Sequence, residues 1–108
     1  MITFYDGDMQ FPEEDLPEVS NAAHAVMYEA QAAGVWVFGG GFFGYDATYV
    51  ATDGTITENA PLGNKTPVGG FCIVNVETRE EALEWAAKTA AACRCAQEVR
   101  EFIDDPEA

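Results

Sequence analysis

The chain has 108 residues, 48% of them hydrophobic, and sets 19 acidic side chains against five basic ones for a formal net charge of −14. That length supports one domain with a single hydrophobic core and no disulfide or metal staples. The charge repels phosphate backbones and anionic lipid, which excludes nucleic acid and a membrane surface as natural partners, and no apolar run approaches the roughly 20 residues that cross a bilayer.

Taken in order, Ile2 to Tyr5 is a short strand closed by the turn signal Asp6-Gly7-Asp8. The first 30 residues hold seven acids and no Lys or Arg, so the basic region of a secretory leader is missing and a cytoplasmic protein is expected. Residues 11–34 form a first helix, with Glu13, Glu14, Asp15 and Glu18 at the end where the helix dipole favours acids. Its inward stripe is Leu16, Val19, Ala23, Val26, Ala30 and Ala33, and Gly34 is the stop.

Residues 35–38 make a second strand, apolar on both alternation faces, followed by Gly39-Gly40-Gly41. No Gly-Lys-Ser/Thr follows the glycines, so they are not a phosphate loop; they mark a strand end, bulge or bend where backbone passes close to something. Residues 47–52 and 55–57 pair as a hairpin about Asp53-Gly54, and residues 58–67 form a loop. Residues 71–76 are a strand with apolar side chains on both faces.

Thr78 then opens the second helix, with Glu81 placed for a reciprocal capping box. That helix turns one face of Ala82, Leu83, Ala86, Thr89, Ala90 and Cys93 inward. Residues 97–103 form a last strand and 104–108 an acidic tail. Strands 35–38 and 71–76 are expected at the centre of the sheet. Two helices cover only one face of such a sheet, so the other apolar face calls for a second copy of the chain.

Cys72, Cys93 and Cys95 are an odd number and no secreted framework. Cys93-Arg94-Cys95 is too tight for a zinc site, and Cys72 and Cys93 read as small buried hydrophobes. With no dinucleotide fingerprint, Walker loop or ligand cluster, no cofactor and no metal are expected.

The blocks AAGVWVFGGGF, the DG hairpin, GGF before an apolar strand, EALEWAAK, AACR and EVR, in that order over residues 31–102, resemble the YCII-related family in its DGPF-type branch. The resemblance implies a ferredoxin-like α+β subunit, antiparallel sheet and two helices, that pairs into a dimeric α+β barrel. It implies no particular reaction. The branch's Asp-Gly-Pro-Phe run falls here on Glu58-Asn59-Ala60-Pro61, and its acidic-Thr-Lys-acidic stretch on Gly63-Asn64-Lys65-Thr66, where only the lysine is kept. Some YCII-like relatives carry a proposed histidine–aspartate pair; Asp46 matches the aspartate, whereas the histidine position falls on Ala23, beside His24.

The candidate site has two parts. His24, the only histidine, is the one side chain that ordinarily titrates near neutral pH, and with Asp46 it forms a possible acid–base pair; its bland reading is a solvated helix face beside Asn21, Tyr28 and Gln31. Trp36, Gly40, Phe42, Phe43 and Tyr45 offer a glycine floor with aromatic walls for a small ligand, and Lys65 offers a cation for an anionic group. Two functional readings follow: a homodimeric small-molecule-binding or interaction module, regulatory as DGPF-type domains beside transcription factors suggest, or a lyase- or isomerase-type enzyme using His24 and Asp46.

Overall fold

Strands with an apolar face and helices with an apolar stripe bury both by stacking in two layers. The computed structural model, which describes residues 1–5, 9–42, 47–58 and 68–107, has this form. The elements are β1 (Ile2–Tyr5), α1 (Leu16–Ala32), β2 (Trp36–Gly41), β3 (Tyr49–Val50), β4 (Ile56–Thr57), β5 (Val68–Val74), α2 (Arg79–Cys93) and β6 (Glu98–Val99), with a 3-10 turn at Glu13–Asp15 leading into α1. Four strands form one antiparallel sheet in the order β2-β5-β1-β6, and β3 pairs with β4 separately. With that hairpin set aside, the βαββαβ order and this strand arrangement are those of a ferredoxin-like α+β subunit.

The helix ends follow local chemistry. Thr78 caps α2 by accepting the Glu81 N–H at 3.2 Å, but the Glu81 carboxylate takes the Thr78 hydroxyl at 3.4 Å instead of closing a box on the backbone. The stop after α1 is Gly34, at φ +76°. Lys88 on α2 bonds Glu29 on α1, and Arg94 reaches Asp15 at 2.8 Å and Glu18 at 3.7 Å. These exposed pairs orient the helices against each other and contribute little stability. The core lies between helices and sheet: Ile2, Val19, Ala30, Ala86, Ala92 and Cys93 are buried. Alanine predominates there, which lets the helices approach closely but fills little volume.

Several sequence expectations are corrected. The central strands are β5 and β1, and β2 is an edge, because apolar alternation reports burial and not the neighbour in the sheet. The glycine run lies inside β2, with Gly39, Gly40 and Gly41 facing Cys72, Phe71 and Gly70. A Cβ on Gly39 would lie 2.7 Å from both Cys72 Cβ and the Trp36 ring, so the indole folds across a position only glycine can occupy. A bulge at Val37 separates Trp36, opposite Val74, from Phe38, opposite Ile73, and the two aromatic side chains therefore leave the sheet on opposite faces.

Leu16 and Ala33, expected inside, are exposed. The hairpin strands shrink to two residues each, because Gly54 N–H returns to the Ala51 carbonyl at 2.9 Å and Thr55 N–H to the Asp53 carboxylate at 2.9 Å, making a five-residue turn. The last strand ends at Val99: Arg100 still bonds Met1, and the residues beyond face no described strand. Cys72 is only half-buried, whereas Cys93 is buried.

Arg94, just past α2, sits in the left-handed region at φ 58°, where a side chain costs about 1–2 kcal/mol that glycine avoids. Arg94→Ala and Arg94→Gly lose the same ion pairs, so the glycine variant is expected to be the more stable by about 1 kcal/mol in urea denaturation. Equal midpoints would show that the backbone there is unstrained.

Candidate functional site

Register assigns each sheet residue to a face, because opposed residues share a side and successive ones alternate. Ile2, buried, opposes Cys72, which opposes Gly39; this row faces the helices. The next row is Glu98, Thr3, Phe71 and Gly40 across the four strands, on the face away from the helices. Phe38 opposite Ile73 lies on that same open face, and so does Phe42, whose ring centroid is 5.9 Å from that of Phe71. The Phe38 centroid is 6.2 Å from it. Phe38 is 61% exposed and Phe42 55%. A Cβ built on Gly40 meets nothing within 4 Å, so Gly40 is the floor of a notch walled by three phenyl rings.

Toward β6 the open face turns polar. Tyr5 donates its hydroxyl to the Glu98 carboxylate at 2.6 Å, and Arg100 bonds the other carboxylate oxygen. The Tyr5 hydrogen bond chiefly, with help from Arg100, holds the Glu98 carboxyl below the usual carboxylate range; the same bond, aided by burial, pushes the Tyr5 phenol up. Between this pair and the phenyl rings stands Thr3, only 3% exposed, whose hydroxyl is buried with no hydrogen-bond partner among the described residues. Leaving such a group unsatisfied costs about 1–3 kcal/mol.

The sequence-predicted residues are distributed unevenly over this geometry. Gly40 and Phe42 meet on the open face. Trp36 lies on the helix side, over Gly39. His24 is exposed on α1, its Nδ1 3.4 Å from the Ser20 hydroxyl and its ring stacked at 6.3 Å on Tyr28; it belongs to the helix layer, with the sheet between it and the phenyl notch. Asp46, Phe43, Tyr45 and Lys65 lie outside the described residues. Thr3, Tyr5, Phe71, Ile73 and Glu98 were not legible as site residues, because their common face depends on pairing between segments far apart in sequence.

A separate cavity of about 440 Å³ opens at the other end of the sheet from the glycines, where Val74, Thr78, Arg79, Val99, Arg100 and Phe102 meet. Glu77 and Glu101 join its arginines, so it presents mixed charge. Burial pushes the Cys72 and Cys93 thiols up, which keeps them protonated and poorly nucleophilic. Among the described residues no group of three His, Cys, Asp or Glu side chains is placed to hold a metal ion, and no helix is long and apolar enough to cross a membrane. Comparison with known proteins finds no matching family model and no matching curated protein.

Because the folded Glu98 carboxyl sits low, its stabilising effect is complete above the ordinary Glu value of about 4.3 and is lost as pH falls through the lower folded value. Tyr5→Phe removes the largest cause of that shift. Over acidification from about pH 6 to 3 the wild type should therefore lose more stability than the variant, measured by urea denaturation at each pH. Parallel curves would mean that the hydrogen bond does not hold the carboxylate.

Proposed function

We propose that the chain is a cytoplasmic, YCII-like homodimeric module that binds a small aromatic molecule on the open face of its sheet. The observation that carries this reading is the Gly40 notch, with Phe38, Phe42 and Phe71 around it on a face that no described element covers. Leaving such a face in water forgoes about 25 cal/mol for every Å² of apolar surface. A second copy set face to face on a two-fold axis covers it and encloses the notch between two subunits. The phenyl rings suit a flat apolar body, and the Tyr5–Glu98 pair, on the same face, suits a hydroxyl substituent. The net charge of −14 and the Glu98 carboxylate disfavour anions, so phenols should bind better than small carboxylates. The alternative reading, a lyase- or isomerase-type enzyme, would place its acid–base histidine, His24, at an exposed position of α1.

Light scattering after size exclusion, at low micromolar protein, should give twice the 11.7 kDa chain mass. A thermal-shift screen should show stabilisation by small phenols that Gly40→Val abolishes while keeping the fold, because a Cβ there meets no neighbour. A monomer in the first measurement, or a phenol response untouched by Gly40→Val, would overturn the corresponding half of the reading.

A further inference from the structure

The β3–β4 hairpin is the least explained part of the subunit. Every residue from 48 to 58 is exposed, including Val50 at 67%, Ile56 at 64% and Tyr49 at 37%. A two-stranded hairpin without a hydrophobic support is marginally stable at best in water, so this one needs a surface to rest on. Among the described residues its own subunit does not supply it: the hairpin's apolar side chains and the Phe38 and Phe42 rings of the open face are exposed together.

We propose that the hairpin is an exchanged arm. In the homodimer inferred above, on which this proposal rests, each subunit's Tyr49, Val50 and Ile56 pack on the partner's open face against Phe38, Phe42 and Phe71. The notch over Gly40 is then closed by the partner copy and is incomplete in a single subunit.

Two observations select a second copy as the occupant. A chain of net charge −14 meets itself only through surface without charge, since like charges repel across an interface. Neither the strands that form the notch, 36–42 and 68–74, nor the hairpin strands, 49–50 and 56–57, contain a charged residue; Asp53 is confined to the turn. The areas also match. Taking about 150–250 Å² for a whole aromatic side chain and less for an aliphatic one, the exposed parts of Phe38, Phe42, Tyr49, Val50, Ile56 and Val68 present on the order of 500 Å² of apolar surface. A standard interface buries about 800 Å² per partner, of which about 65% is apolar when it joins two copies of one chain.

The test introduces the photoreactive residue benzoylphenylalanine at position 50 of the full chain. Isotopically heavy and light chains are co-refolded in equal amounts, irradiated and read by mass spectrometry. Heavy–light peptide pairs joining residue 50 to the segments that carry Phe38, Phe42 or Phe71 are the expected result. Crosslinks confined to one chain, in a protein that light scattering shows to be a dimer, would overturn the arm and leave the dimer standing. A monomer would overturn the dimer and the arm together. In parallel, Val50→Asp and Ile56→Asp, both at exposed positions of the subunit, should leave its circular dichroism unchanged. Each should raise the dimer Kd at least roughly tenfold, which corresponds to about 1.4 kcal/mol. Unchanged Kd values would also overturn the arm.

Discussion

Among the described residues the sheet is supported from one side only, and most of what is unusual about this subunit follows from that. Two helices cover one face of four strands, and the layer between them is built largely from alanine and cysteine, with Ile2 the single large side chain that is fully buried among the described residues. So thin a core removes little apolar area from water, and the larger apolar groups, Phe38, Phe42, Val50 and Ile56, are left outside it. Stability in a small domain scales with the fraction of surface buried.

Within that constraint, single backbone features decide where chemistry goes. The bulge at Val37 sends Trp36 to the helix side and Phe38 to the open side. Gly39 then leaves room for the indole over the strand, while Gly40, one residue on and facing the other way, leaves a gap among the phenyl rings. One apolar strand thus serves the core and the open face with adjacent glycines in different roles. At the β6 end the face becomes polar through Tyr5, Glu98 and Arg100. The buried hydroxyl of Thr3 marks the border between the two characters. The surface thus grades from aromatic to hydrogen-bonding across four strands.

The helix layer carries a different set of interactions. His24, Ser20 and Tyr28 lie together on α1, and the ion pairs of Lys88 and Arg94 tie α1 to α2. These groups are exposed and their mutual contacts account for them. The outward side of the helices is thus a solvated acidic surface, and the sheet separates it from the aromatic notch.

The amino-acid sequence by itself determined the local elements. Capping at Thr78, the stop at Gly34, the apolar stripe through Val19 and Ala30, and strands at β1, β2 and β5 all depend on side chains within a few residues of one another, and that is why they are legible. The α+β class follows from their order. Strand order, face and partner were decided only by the tertiary structure. That β1 and β5 are central while β2 is an edge depends on pairing across the whole chain. Which aromatic residue faces the helices depends on one bulge, and a one-residue offset exchanges the two faces of a strand. Thr3, Tyr5 and Glu98 join Phe71 on one surface only because residues 2–5, 68–74 and 98–99 meet in the sheet, a relation that no periodicity within a single segment records.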